Sequence, residues 1–151
     1  MPKSFLFVVL LASVSCGGSG SPASTSPSAN VPVATITVAQ NAKLGQILVD
    51  GNGRTLYLFE ADTSSASTCY GSCATYWPPL LTGGPPQAGA GANASLLGTT
   101  KRNDGTTEVT YAGHPLYYVV TDHNPGDATG QRVNNFGAAW DVVGPDGKQI
   151  V

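Results

Sequence analysis

The chain repeats one of its own segments, and this repeat constrains the fold more than any other feature. Residues 56–62 recur 60 positions later as residues 116–122, and each copy begins with Leu-Tyr and ends with Asp. The correspondence extends outward, pairing Val49 with Val109, Gly53 with Gly113 and, after a slip of three residues, Trp77 with Trp140. A repeated supersecondary unit cannot bury its apolar face alone. The repeat therefore predicts one domain built from two related halves.

Residues 1–15 have the pattern of a signal peptide. Lys3 precedes the apolar residues 5–11, a run too short to cross a hydrocarbon core of about 30 Å as a permanent helix. Small residues then lead to Cys16, and the sequence Val14-Ser15-Cys16 resembles the lipobox of bacterial lipoproteins. The resemblance implies cleavage before Cys16 and acylation of that cysteine. A lipid anchor in a bacterial membrane is therefore expected, with plain secretion as the alternative.

Residues 16–32 form a linker that follows the signal peptide. After Cys16 they consist almost entirely of Gly, Ser, Pro, Ala, Thr and Asn. Such a composition buries too little apolar surface to offset its ordering entropy. We expect a flexible tether that reaches roughly 20 Å from the membrane.

The remaining residues 33–151 have the size of one domain, with one repeat at about 40–82 and the other at about 96–151. The net charge of −2 and the absence of a basic patch argue against a nucleic-acid partner. Residues 34–39 alternate in polarity, and later β-branched runs flank Gly-rich turn clusters at 50–53, 112–115 and 144–147. The prediction is an all-β, mainly antiparallel, single compact domain.

Two of the three cysteines remain when Cys16 is lipidated. In an exported protein, Cys69 and Cys73 are expected to form a disulfide. The alternative is a redox or copper site, in which two thiolates and an imidazole from His114 or His123 would suit a cuprous ion. Both interpretations stay open on the sequence.

Motifs for enzyme chemistry are absent from the sequence, which contains neither a G-x-S-x-G elbow nor an H-E-x-x-H pair. Asp62 and Asp122 follow strands at equivalent places, so acid–base work by paired carboxylates is one hypothesis. An aspartate at a strand end more often holds the following turn, and its presence in both repeats favours this structural role. The enzyme question stays open, with a non-enzymatic role favoured.

The aromatic residues on the strands have two interpretations. They pack the core of a small domain, or they form a platform for a ligand. We favour the core. The residues concerned are Tyr57, Phe59, Trp77, Tyr117 and Trp140.

Two motifs identify a family resemblance. Tyr57, Phe59 and Asp62 fit the pattern Tyr-x-(Phe/Trp/Tyr)-x-x-Asp, and residues 69–80 read Cys-x-Gly-x-Cys-Ala-x-x-Trp77-Pro78-Pro79-Leu. Together with the lipobox and the tether, they resemble the bacterial secreted-repeat lipoprotein family, over residues 40–151. The second copy departs from the motif because Val119 replaces the aromatic residue. The resemblance implies a surface or periplasmic lipoprotein of unknown function and supplies no catalytic residues.

The expected function is a membrane-tethered, extracytoplasmic domain for binding or scaffolding in the cell envelope. Its partner would be an envelope protein or a small ligand, and no cofactor is expected. The alternative is a redox or copper-binding protein that uses Cys69 and Cys73. A hydrolase that uses Asp62 and Asp122 is the third hypothesis.

Overall fold

The structure is a computed structural model that describes Met1 and residues 30–151. Most of the signal peptide, the lipidation site Cys16 and most of the linker lie outside the described residues. The predictions made for them concern sequence alone.

The described residues fold into short strands, which confirms the all-β prediction. The elements are β1 Thr35–Asn41, β2 Gly45–Asp50, β3 Tyr57–Phe59, α1 Ser72–Tyr76, β4 Gln87–Ala88, the 3-10 turn Ala94–Leu96, β5 Leu97–Lys101, β6 Thr107–Tyr111, β7 His114–Pro115, β8 Val133–Asn135 and β9 Ala138–Val142. The strands form three sheets in the orders β2-β1-β4, β3-β9-β8 and β5-β6-β7, and all pairs are antiparallel except β1 with β4.

The two repeats meet at their central strands. Tyr57 and Tyr117 face each other as an antiparallel pair and exchange both backbone hydrogen bonds, each with an N···O distance of 2.9 Å. Equivalent residues that bond to each other in this way mark an approximate two-fold axis. The predicted duplication is thus a two-fold arrangement within one chain.

The hairpin β1–β2 of the first repeat corresponds to the hairpin β5–β6 of the second, with an offset of 61 residues. Leu48 donates its N–H to the Val143 carbonyl, and Val109 donates its N–H to the Leu80 carbonyl in the same way. The pairing of Val49 with Val109 in the sequence is therefore wrong by one residue. The reason is that the loop after β6 is one residue shorter than the loop after β2, and turn length sets strand register.

The Trp77-Pro78-Pro79 segment is the counterpart of β9. The Tyr118 N–H donates to the Pro78 carbonyl at 2.8 Å, while β3 pairs with β9 through Leu58 and Asp141. In the sequence the Trp-Pro-Pro motif occurs in one repeat only, although its Trp77 pairs with Trp140. In the fold the segment fills the place that β9 fills in the other repeat, and its prolines suit an edge because they lack a donor.

Side chains of the central strands alternate between two cores. We call the first the tryptophan core; its large members are Ile47, Val49, Tyr57, Phe59, Trp77, Tyr117, Val119, Trp140 and Val142, with both disulfide cysteines. The second, the leucine core, contains Ala34, Ile36, Leu48, Leu56, Leu58, Leu80, Val109, Tyr111, Leu116 and Val143. The central strands therefore separate one half of the interior from the other.

The N-terminal arm joins the domain on the side of the leucine core. Gly83 N–H donates to the Pro32 carbonyl at 3.0 Å, and Ala34 N–H donates to Thr82 Oγ1 at 3.1 Å. A Cβ atom at Gly83 would lie 1.9 Å from the Val31 carbonyl oxygen, so glycine is required for this close approach. The last residues before position 33 are thus packed along the domain.

Candidate functional site

The tyrosine and aspartate of the repeated motif bond across the two-fold axis. Tyr57 Oη donates to Asp122 Oδ2 at 2.6 Å, and Tyr117 Oη donates to Asp62 Oδ2 at 2.5 Å. All four residues are buried. Each repeat therefore supplies the hydrogen-bond partner that the motif of the other repeat needs.

The second oxygen of each aspartate fastens the loop that follows its strand. Asp62 Oδ1 accepts from the Thr68 N–H and hydroxyl at 2.8 and 2.6 Å. Asp122 Oδ1 accepts from the Thr129 N–H and hydroxyl at 2.9 and 2.7 Å. Each carboxylate is bound to a tyrosine and a threonine, which is the geometry of a structural bond rather than of an acid–base pair open to substrate.

The phenols at the axis remain protonated. Burial, reinforced by the hydrogen bond to Asp122, raises the pKa of Tyr57 far above its usual value. Burial and the nearby charge of Glu108 do the same to the pKa of Tyr117. Both hydroxyl groups therefore act as donors to their carboxylates.

Among residues 30–151, a buried charged network extends from the Tyr117 side of the axis and not from the Tyr57 side. Ser67 Oγ lies 2.7 Å from Tyr117 Oη. Arg102 Nη1 donates a hydrogen bond to Ser67 Oγ, also at 2.7 Å. The same Arg102 nitrogen donates to Glu108 Oε2 at 2.6 Å, and Nη2 donates to the Cys69 carbonyl at 2.7 Å. The network thus joins the axis to the disulfide loop.

Three residues of this network differ from their counterparts in the other repeat. With the 61-residue offset, Glu108 is the counterpart of Ile47 in the first repeat, and Arg102 is the counterpart of Asn41. Ser67 corresponds to Ala128, since Thr68 and Thr129 play the same role one residue later. None of the three was a candidate in the sequence. A comparison of the repeats in the correct register would have singled out Glu108, because a carboxylate replaces a core isoleucine there.

The buried ion pair is not fully satisfied within the described residues. Glu108 is 0% exposed and Arg102 is 4% exposed, yet Glu108 Oε1 and Arg102 Nε have no hydrogen-bond partner among the residues that the structure describes. Burial raises the pKa of Glu108 to about 8, although Arg102 acts in the opposite direction. Glu108 therefore titrates near neutral pH.

This pKa predicts how stability depends on pH. Between the usual value of about 4.5 and the raised value of about 8, the folded protein holds a proton that the unfolded chain has released. The free energy of unfolding should therefore fall as the pH rises from about 5 to 8, with a slope of at most about 1.4 kcal/mol per pH unit. Urea unfolding at several pH values measures the slope. The variant Glu108→Gln should lose this dependence, and an equal slope in that variant would assign it to other groups.

The predicted disulfide is confirmed. Cys69 and Cys73 are bonded with a Cα–Cα distance of 5.3 Å, within the usual range, and α1 places Cys73 against the tryptophan core. His114 lies in β7 and His123 in an exposed turn. Residues 30–151 contain no grouping of three His, Cys, Asp or Glu side chains that could hold a metal ion. The structure therefore does not bring either histidine together with the cysteines.

A stack of aromatic rings fills the tryptophan core. Trp140 lies between Phe59 and Trp77, with ring centroids 4.1 and 4.0 Å apart and interplanar angles of 10° and 3°. The edges of Tyr57 and Tyr117 meet this stack, with Tyr57 5.4 Å from Trp77 and Tyr117 5.1 Å from Trp140. We call these five rings, together with Tyr76, the aromatic column. The favoured core placement of these residues agrees with the buried positions of all five rings.

The column reaches the surface through Tyr76, which belongs to an exposed aromatic patch. The patch consists of Tyr76, Val120 and Phe136, which are 37, 42 and 45% exposed. The rings of Tyr76 and Phe136 are 6.4 Å apart, and Val120 N–H donates to the Tyr76 carbonyl at 3.1 Å. These residues were not singled out as a group in the sequence, because they come from three separate segments.

The concave surfaces of the described part differ in their lining. Three of them include titratable side chains, namely Lys101 and Asp104, Lys43 and Asp127, and Asp50 and Tyr118. One cavity of about 480 Å³ is lined by residues 82–86 and by the start of β5, with no titratable side chain among its lining residues. Catalytic sites generally combine a pocket with titratable groups of perturbed pKa. This cavity lacks that combination.

None of the helices in the described part is both long and apolar enough to cross a membrane.

The fold defines an all-β domain of two repeats that exchange the partners of their buried tyrosines and aspartates. A family described as a secreted repeat of unknown function matches residues 38–81 and 98–144. The two segments cover more than half of the chain, so the protein belongs to this family of secreted repeats. The resemblance identified from the motifs is thereby confirmed, and the family description indicates an extracytoplasmic location. No curated protein and no solved structure matches the chain.

Proposed function

We propose that the protein is a lipid-anchored domain of the bacterial cell envelope that binds a protein partner through the aromatic patch. The lipobox at Cys16 supports the lipid anchor, and the low-complexity linker is long enough to hold the domain away from the membrane surface. The observation that carries the proposal is the exposed, uncharged patch of Tyr76, Val120 and Phe136.

The position of the patch fits a tethered binding domain. The N-terminal arm packs on the side of the leucine core, where Ala34 and Ile36 are buried. Tyr76 packs against Trp77 of the tryptophan core, with ring centroids 5.8 Å apart. Since the central strands separate the two cores, the patch packs on a different core from the arm.

The patch has the chemistry of the centre of a protein interface. Tyrosine and other aromatic residues are enriched there, and charged residues are depleted. The patch residues and their chain neighbours carry no charge; they are Thr75, Tyr76, Val120, Thr121, Asn135, Phe136 and Gly137. Small ligands favour concave pockets, whereas Phe136 lies in the turn between β8 and β9 and protrudes. A protein groove is therefore the partner surface that fits.

The backbone at Phe136 supports a role in binding. Its φ angle is +55°, in the left-handed region that glycine and asparagine favour, and the following Gly137 has φ +99°. The two-residue turn between β8 and β9 requires this conformation, in which a bulky aromatic residue is strained. The turn does not require the half-exposed ring, and we attribute the ring to contact with a partner.

Site-specific photocrosslinking in cells tests the proposal. A benzoylphenylalanine residue at position 76 should form a crosslink to one envelope protein, and the same residue at exposed position 103, in the β5–β6 turn, should not. The variant Phe136→Asn should abolish the crosslink while leaving the fold as stable or slightly more stable, because asparagine tolerates the left-handed conformation. A crosslink that survives Phe136→Asn, or that forms equally from position 103, would refute the patch as the binding surface.

The anchor has a separate test. Mass spectrometry of the protein from the membrane fraction should find a mature N-terminus at Cys16 that carries acyl chains. A mature N-terminus without acyl chains, in protein from the same fraction, would contradict lipid anchoring.

A further inference from the structure

We propose that the aromatic column conducts single oxidising equivalents from the surface at Tyr76 to Tyr57 and Tyr117, and that it holds them there as neutral tyrosyl radicals. The reactant is a one-electron oxidant, such as an oxygen-derived radical or a ferryl haem. This activity would be additional to partner binding and does not depend on it.

The column is continuous from the surface to the axis. The ring centroids of Tyr76 and Trp77 are 5.8 Å apart, and those of Trp77 and Trp140 are 4.0 Å apart in an almost parallel stack. Tyr57 branches from Trp77 at 5.4 Å and Tyr117 branches from Trp140 at 5.1 Å. Neighbouring rings are thus in or near van der Waals contact, so an electron has only short steps to make.

Each terminal tyrosine has a proton acceptor in place. Oxidation of a phenol requires loss of its proton, because the protonated phenol radical is a very strong acid. Asp122 Oδ2 lies 2.6 Å from Tyr57 Oη, and Asp62 Oδ2 lies 2.5 Å from Tyr117 Oη. The proton therefore has to move only along an existing hydrogen bond.

The oxidation begins at the surface end of the column. The oxidant removes one electron from Trp77 through Tyr76, because Trp77 is itself fully buried, and leaves a tryptophan radical cation that Trp140 shares. Tyr57 or Tyr117 returns one electron to this cation, and its phenol proton passes to the adjacent carboxylate. The products are a neutral tryptophan, a neutral tyrosyl radical and a carboxylic acid. A thiol reductant then gives one electron to the tyrosyl radical, becomes a thiyl radical and releases its own proton to water. The carboxylic acid returns its proton to the phenolate oxygen, which restores the starting state.

The composition of the domain directs oxidation to these rings. The sole methionine of the chain is Met1, and Cys69 and Cys73 are joined in a disulfide. The easily oxidised sulfur side chains are therefore absent from residues 33–151, and tyrosine and tryptophan are the readily oxidised groups left. Tyr57 and Tyr117 are both 0% exposed, so a radical on either one is shielded from coupling with another molecule.

The chain provides a matched control for the chemistry. Tyr118 Oη donates to Asp50 Oδ2 at 2.9 Å and is also partly buried, but its side chain faces the leucine core, away from the stacked tryptophans. It is a tyrosine–aspartate pair outside the column. A role of the column therefore predicts different behaviour for Tyr118 and for the two tyrosines at the axis.

Pulse radiolysis of the detergent-solubilised full-length protein, with azide radicals as the oxidant, tests the relay. The absorption of the tryptophan radical should decay as that of the tyrosyl radical grows, at a rate independent of protein concentration and slower in D₂O. The double variant Tyr57→Phe/Tyr117→Phe should lose this growth, and Asp62→Asn/Asp122→Asn should slow it and remove the isotope effect. Tyr118→Phe should leave the kinetics unchanged. Unchanged growth in the Tyr57/Tyr117 variant, or its loss in Tyr118→Phe, would overturn the proposal.

A measurement on the unaltered protein covers the case in which these variants do not fold. Electron paramagnetic resonance of freeze-quenched samples should detect a tyrosyl radical whose oxygen is hydrogen-bonded to an exchangeable proton. A radical without that coupling, or one that disappears by dityrosine formation between molecules, would refute storage at the buried tyrosines.

Discussion

Replacing Arg102 with alanine should lower the free energy of unfolding by about 3–5 kcal/mol at pH 9, where Glu108 is ionised. The change leaves a buried carboxylate without its cation. It also removes the donors to Ser67 Oγ and to the Cys69 carbonyl. Urea unfolding measured by tryptophan fluorescence gives the difference. The loss should be smaller at pH 6, because there Glu108 takes up a proton.

The first repeat supplies the control for this prediction. Ile47 is the buried counterpart of Glu108 in that repeat. The double variant Arg102→Met/Glu108→Ile therefore replaces the ion pair by two apolar side chains, one of which copies the first repeat. Replacing a buried ion pair by apolar residues of similar volume is often neutral or stabilising. We expect the double variant to recover most of the stability lost in Arg102→Ala. A double variant as unstable as the single one would mean that the other bonds of Arg102, and not the unpaired charge, account for the loss.

Replacing Trp140 with alanine should have an effect of similar size, about 3–5 kcal/mol. Trp140 is fully buried and contacts the rings of Phe59, Trp77 and Tyr117, so its removal opens a cavity at the centre of the tryptophan core. Its Nε1–H also donates to the Asn135 carbonyl at 3.2 Å, which holds the turn that carries Phe136. Thermal and urea unfolding measure the loss.

Trp140→Phe is the matched control, since it keeps a ring in the stack and removes the indole nitrogen. We expect it to cost much less than Trp140→Ala. Equal losses in the two variants would show that the hydrogen bond to Asn135, rather than ring packing, is the main contribution of Trp140.

Features that follow from local pattern can be read from the sequence. The alternation of residues 34–39 predicts β1, and the Gly-rich clusters predict the turns. The repeat of residues 56–62 and 116–122 predicts two related halves. The expected export of the protein predicts a disulfide between Cys69 and Cys73, the two cysteines that remain when Cys16 is lipidated. The strand and turn signals lie within a few residues of the chain, where propensity and turn chemistry act directly. The repeat is visible because two separate segments can be compared letter by letter.

The partners of the motif residues cannot be read in the same way. Tyr57 bonds to Asp122 rather than to Asp62, because the two-fold pairing of the central strands brings each tyrosine next to the other repeat's loop. The ion pair of Arg102 and Glu108 was missed for a related reason. The sequences of the two motifs align at an offset of 60 residues, while the strands of the two hairpins correspond at an offset of 61. An error of one residue exchanges inward-facing and outward-facing positions, so Glu108 is not recognised as the counterpart of a core residue.

The crossed bonds between tyrosine and aspartate have a consequence for how such a domain arises. A chain that carried one repeat alone would leave its phenol and its carboxylate without partners in an apolar interior. A second copy related by two-fold symmetry supplies both missing groups at once, as in any isologous dimer. The two halves of the present protein are arranged like the subunits of such a dimer, but they belong to one polypeptide. Because the two halves share one chain but not one sequence, each can carry its own residues, and Glu108 stands in one copy where Ile47 stands in the other.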